Sequence, residues 1–267
     1  MLKMFYNVIY YTFQYAVICK IHYMNHINIS DKSTGENIMK TMVNEILGKC
    51  NCNYKSEDFK KVPKSDTFFF CTIEEAKYLQ NQMLGTVAYD DKIFNVSSWL
   101  PMIEDKALNW EGSYYIHTGQ ISDREIGKFC RSDKGDKIWS GQVIRDKADV
   151  ELIKAQVPSD TLLFIAPKTQ ISREWRIWMT NGKCMASASY DNPFCEYTEE
   201  GGEENGAIKF ACKLAEMLYE PDERYVIDIA HTPFGGYKVV EYNAYSTSGF
   251  YDVDVEKLLK NTIESFK

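Results

Sequence analysis

Residues 225–244 read YVIDIAHTPFGGYKVVEYNA, and this stretch restricts the fold more tightly than any other. Two strand-like runs, YVIDIA (225–230) and YKVVEYNA (237–244), flank a turn rich in Pro and Gly, which is the pattern of a β-hairpin. Alternation along a strand puts Glu241 and Asn243 on one face, together with Tyr237 and Val239. If the turn spans 231–236, Ala230 pairs with Tyr237 and Asp228 lies opposite Val239, one diagonal step from Glu241. Two carboxylates and an amide oxygen on one face suit a hard cation such as magnesium, which takes oxygen ligands and shares them with phosphates. A solvent-facing polar strand surface would show the same pattern, and the residues alone leave both readings open.

A second hairpin is expected over 173–190, where REWRIWM and KCMASASY meet at Asn181-Gly182. Asn-Gly supplies the two positive-φ residues that a tight hairpin turn requires. On its first strand Glu174, Arg176 and Trp178 share one face, while Trp175, Ile177 and Met179 face the other way into a core. Residues 161–166 (TLLFIA) read as a buried strand stopped by Pro167, and 66–71 (DTFFFC) as a short one. Thr72 to Glu75 form a capping box for a helix, and 34–48 is expected to be an amphipathic helix ending at Gly48. Another helix places Ile208, Ala211, Cys212, Ala215 and Leu218 on one face, and a closing helix does the same with Val255, Leu258, Leu259, Ile263 and Phe266. Asp252, Asp254 and Glu256 read as charges at the start of that last helix. EYTEEGGEE is read as a flexible acidic loop.

The chain, at 267 residues, can bury a substantial core as one large domain or two small ones. Its net charge of −7 argues against nonspecific nucleic-acid or anionic-membrane binding. Eight cysteines without a repeated spacing point to a reduced, cytoplasmic compartment rather than a disulfide framework. Cys50 and Cys52 form C-x-C with no matching pair nearby, a weak zinc pattern. The apolar, aromatic residues 1–23 admit three readings: a membrane anchor, a poor signal peptide or an edge strand. Asn7, Gln14 and five tyrosines weigh against a spanning helix, and no small-residue cleavage site follows. The expected organisation is an apolar segment (1–23), an N-terminal α/β region (24–112) and a third region of alternating strands and helices (113–267).

Asp228, Glu241 thirteen residues on and Asn243 two further, with the text VVEYNAYSTSGFY, resemble the metal-binding signature of the ATP-grasp superfamily. The stretch FCRSDKGDKIWSG (129–141) resembles the phosphate-binding strand and loop of a phage-associated ATP-grasp clade named for two arginines and a lysine. LLFIAPKTQISREWRIWM (162–179) resembles the strand, adenine hinge and ribose-binding segment of the superfamily. The resemblance implies an ATP-grasp fold of α+β lobes behind an N-terminal α/β region. It implies ATP and Mg2+ as cofactors, with Asp228, Glu241 and Asn243 as metal ligands. Arg131, Lys137 and Arg176 would neutralise phosphate charge, Ser140 and Gly141 would give the backbone freedom to fold over phosphates, Ile165, Ala166 and Pro167 would form the hinge, and Glu174 would bind ribose. Pro167 stands where many members carry a glutamate.

The reaction so implied is ATP-dependent ligation of a small-molecule or peptide carboxylate to an amine or related nucleophile through an acyl phosphate. An ATP-binding module without turnover and a phosphotransferase would use the same cleft. Competing signatures are missing: the chain has no G-x-x-x-x-G-K-[ST] loop, no G-x-G-x-x-G and no H-E-x-x-H.

Overall fold

A computed structural model describes residues 17–20, 67–71, 73–81, 87–135, 139, 141–189, 203–234 and 236–265. The expected helix over 34–48, the Cys50/Cys52 pair, Thr72 of the capping box, Lys137, Ser140 and most of the acidic loop lie outside these residues. The chain divides into two compact units, Met1–Tyr89 with Ala244–Lys267, and Asp90–Asn243.

In the first unit β1 (Val17–Lys20) pairs antiparallel with β2 (Thr67–Phe70), so the edge-strand reading holds for these four residues of the N-terminal segment. Helix α1 (Ile73–Asn81) follows. Phe68, Phe70, Tyr245 and Phe250 stack with ring centroids 5.3–5.9 Å apart, an apolar cluster that holds the turn after residue 244 against β2. The Cys71 amide donates to the Ser246 carbonyl at 2.7 Å.

The second unit contains α2 (Val96–Ile103) and two four-stranded antiparallel sheets. The first sheet has the order β3 (Tyr114–His117), β6 (Leu162–Pro167), β4 (Lys128–Ser132), β5 (Gln142–Val143). On one face Cys130, Leu163 and Ile165 pack against Val150 and Ile153 of α3 (Lys147–Gln156). On the other, the register lines up Tyr115, Phe164 and Arg131 in one row across three strands. Strand β6 runs through Pro167 instead of stopping before it. A proline is tolerated there because it occupies the last position, where its missing N–H breaks no interior ladder.

The second sheet has the order β10 (Tyr237–Ala244), β9 (Arg224–His231), β7 (Arg173–Thr180), β8 (Lys183–Ser189). The β7–β8 turn is the one expected, with Asn181 at φ 48° and Gly182 at φ 70°. Helix α4 (Glu204–Met217) buries Ala207, Ala211 and Leu214. Leu218, expected on that stripe, lies beyond the helix end and is 51% exposed, because the buried face rotates toward the small alanines. Tyr237 also departs from strict alternation. Its ring packs near Trp175, Phe210 and His231, and its hydroxyl donates to the Glu203 carbonyl at 2.9 Å. In the first unit, α5 (Val255–Glu264) buries Leu258 and Leu259, and Asp254 accepts from the Lys257 amide at 2.9 Å, the expected N-terminal charge.

Candidate active site

Strand β7 lies inside its sheet and is buried on both faces. Trp175, Ile177 and Met179 enter the core as expected, but Glu174, Arg176 and Trp178 are buried as deeply. Arg176 stands directly across from Asp228 on β9, and the two form a bidentate pair. Nε donates to Oδ1 at 2.8 Å and a terminal nitrogen to Oδ2 at 2.6 Å. From β10, the Asn243 amide nitrogen donates to Asp228 at 3.3 Å and to Glu241 at 2.8 Å. The other Glu241 oxygen accepts from Arg131 of the first sheet at 2.6 Å. One continuous polar chain thus runs Arg176, Asp228, Asn243, Glu241, Arg131. The alternation argument for Asp228, Glu241 and Asn243 is sound, since all three meet on one face.

Glu174 lies two residues along the same strand face. Burial raises its carboxyl well above the usual carboxylate range, the charges of Asp228 and Glu241 raise it further, and Arg176 opposes both. Burial likewise pushes the Asp228 carboxyl up, with Arg176 pulling it down. Three carboxyl groups thus stand beside two guanidinium groups, with Glu174 and Asp228 buried and Glu241 and Arg131 partly exposed. A hard divalent cation fits this all-oxygen acceptor set, and its charge would favour the ionised form of the buried carboxyls. Among the described residues no three His, Cys, Asp or Glu side chains form a cage by themselves. Magnesium held by one or two carboxylates, an amide oxygen and phosphates needs no such cage.

Beside Arg131 opens a small cavity. Phe129 and Phe164 of the first sheet, Val240 of β10 and Trp99 of α2 form its apolar walls, and Asn109 also lines it. Gly141 is needed for close packing: a Cβ there would stand 2.6 Å from the Phe129 ring and 3.1 Å from the Arg131 Cβ. That contact, and no positive φ, is what the glycine supplies. Ile165 and Ala166 are fully buried inside β6, paired with Cys130 and Phe129. Strand β6 pairs with β3 as far as Ile165 and with β4 as far as Pro167, so Ala166 and the exposed Pro167 are paired on the β4 side alone.

Sequence reasoning missed the fastenings around this cavity. Buried Asp133 accepts from the Ser97 amide at 2.7 Å and the Ser97 hydroxyl at 2.9 Å, so it caps α2 from a distance of 36 residues. Asn95, at the N-cap position, accepts instead from the Gly135 amide at 3.0 Å. The Leu108 amide donates to the Val239 carbonyl at 2.8 Å, and Asn109 accepts from the Thr169 hydroxyl at 3.0 Å. Only the Asn before VSSW hinted locally at a helix start.

No curated protein matches the chain by sequence. Among solved structures it resembles the D-alanine–D-alanine ligase of Bacillus anthracis complexed with ATP, at 10% identity over 89% of this chain and 94% of that one, with a TM-score of 0.53. A RimK-domain ATP-grasp protein of Sphaerobacter thermophilus matches at 13% identity over 73% and 74% of the two chains, with a TM-score of 0.47. The profile of an ATP-grasp domain, the third family of its clade, matches residues 78–261. That match spans more than half of the chain, which has the ATP-grasp fold and belongs to this family.

Proposed function

We propose that the chain is an ATP-dependent, ADP-forming ligase that joins a carboxylate to an amine or related nucleophile through an acyl phosphate. The observation that carries this reading is the polar chain of Arg176, Asp228, Asn243, Glu241 and Arg131, whose last member also lines a small, largely apolar cavity. The aromatic walls at Phe129 and Phe164 suit the face of a flat base, and the guanidinium of Arg131 suits a phosphate. Asp228, Glu241 and the Asn243 amide oxygen would hold Mg2+, which when bound neutralises phosphate charge and polarises the phosphate being transferred.

The side chains have separable tasks. Arg131 presents a planar guanidinium from the first sheet, at the edge of the cavity, where it can hold a phosphate. Arg176 is buried and locked by two hydrogen bonds to Asp228, so its charge is fixed before substrate arrives. A preorganised charge of this kind acts on the negative charge that develops as phosphate moves to the carboxylate. Glu174 would accept from the ribose hydroxyls when ionised. Lys137, Ser140 and Gly141 would complete the phosphate-binding segment. Surrounding burial excludes water, which protects an acyl phosphate from hydrolysis.

The test is ADP release from Mg-ATP with pooled carboxylic acids and amines. Release that requires magnesium, a carboxylate and a nucleophile together is expected. Release with the carboxylate alone, leaving a stable phosphorylated product, would turn the reading to a phosphotransferase.

A further inference from the structure

The carboxylate oxygens assigned to the metal all accept from N–H groups. Both oxygens of Asp228 accept from the Arg176 guanidinium, at 2.8 and 2.6 Å. One oxygen of Glu241 accepts from Arg131 at 2.6 Å and the other from the Asn243 amide nitrogen at 2.8 Å. Asn243 turns its NH2 group toward both carboxylates, because only a donor satisfies two acceptors. A carboxylate oxygen keeps a second lone pair, but a guanidinium at hydrogen-bond distance repels a dication at the same oxygen.

The two guanidinium groups are held differently. Arg176 and Asp228 stand opposite one another on paired strands of one sheet, and both side chains are buried. Arg131 comes from β4 of the other sheet and reaches Glu241 through a terminal nitrogen. Side chains in this second pair are 15% and 17% exposed. A partly exposed pair separates more easily than a buried one, because water or an incoming phosphate can take over each partner.

We propose that Arg131 is a built-in competitor for the metal site: its guanidinium occupies Glu241, and a phosphate draws it off so that a divalent cation takes its place. This rests on the reading of the site as one for Mg-ATP and adds how metal and nucleotide are coupled within it. A guanidinium pairs with phosphate oxygens in the same forked geometry that it uses with carboxylates. Moving Arg131 from Glu241 to phosphate removes a positive charge from the ligand oxygen and leaves an ionised carboxylate for the dication. Metal and phosphate then favour each other's binding, since each relieves the other of separating this pair.

The test compares wild type, Arg131→Met, Glu241→Gln and the double variant. Mn2+ alone is titrated by electron paramagnetic resonance, and ATP in EDTA by calorimetry. Methionine keeps an aliphatic stem without the charge. Arg131→Met is expected to bind Mn2+ without nucleotide about tenfold more tightly than wild type, the worth of one charge-assisted hydrogen bond. Glu241→Gln releases Arg131 and should bind metal-free ATP about tenfold more tightly. Each substitution also changes the local field, so the double variant decides: with Arg131 gone, the glutamine should add nothing to ATP affinity. Thermal melts check that each variant folds, and Arg131→Gln replaces Arg131→Met if the latter does not. Unchanged Mn2+ affinity on loss of Arg131, or a glutamine effect of equal size in both backgrounds, overturns the competition. Wild type that still binds Mg-ATP then leaves the nucleotide site standing. A wild type that binds no Mg-ATP overturns both.

Discussion

Strands β6 and β7 follow one another in the chain, each lies inside a four-stranded sheet, and both are almost wholly buried. Their contents differ. Leu163, Phe164, Ile165 and Ala166 of β6 are apolar throughout, whereas β7 buries Glu174 and Arg176 among its tryptophans. Burying apolar groups stabilises at roughly 25 cal/mol per Å2, while burying an ion costs several kcal/mol even after relaxation. Strand β6 thus works for the fold, and β7 retains charge against it. Charge kept in such a place points to chemistry.

The harshest way to break this contrast is Arg176→Ala. It leaves Asp228 buried with its bidentate partner gone, and a loss of about 3–5 kcal/mol is expected in chemical denaturation. ADP formation should fall on the order of a hundredfold in the fraction that remains folded. The double variant Arg176→Ala with Asp228→Asn should recover part of the stability and none of the turnover. Equal stability of the single and double variants would show that the pair does not hold the sheet.

Leu163→Ala tests the other strand. Leu163 is fully buried against α3 and points away from the cavity, so a cavity cost of about 2–5 kcal/mol is expected. Mg-ATP affinity, measured well below the new melting temperature, should stay at the wild-type value. A change in affinity would show that the face under α3 also shapes the site.

Glu174→Gln gives the smallest effect and the sharpest one. The folded chain holds the Glu174 carboxyl well above the usual carboxylate range through burial, and the unfolded chain does not. The folded state therefore binds more protons in that window, and stability is lost as pH rises toward the folded value. Glutamine cannot ionise, so the variant should gain stability over wild type as pH rises above the ordinary carboxylate range, with the gain vanishing below it. Melting curves across pH check this. A gain that grows toward acid would reverse the assignment of sign.

The hairpins and the Asp228–Glu241–Asn243 face were legible because strand alternation and turn chemistry act over a few residues. Arg131 drew notice only through the family resemblance, and nothing local revealed it as the partner of Glu241 across 110 positions. Depth of burial was not legible either. The REWRIWM pattern assigns its two faces correctly, yet nothing local says that the charged one is also covered. Most hidden was the segment 95–112. Its bonds to Asp133, Gly135, Thr169 and Val239 join residues 36 to 131 apart, beyond the reach of any local pattern.

The bridge between Ala107 and Val239 has one more consequence. β10 is the outermost strand of its sheet, and an outermost strand offers a row of unpaired amides to any passing chain. Here the protein's own backbone already occupies that row at Val239, through Leu108. Another extended peptide would have to displace residues 107–108 before adding itself to this side. The β9–β10 hairpin is thus shielded from edge-to-edge self-association, and a chain in which Leu108 is replaced by proline would lose that shield together with its amide.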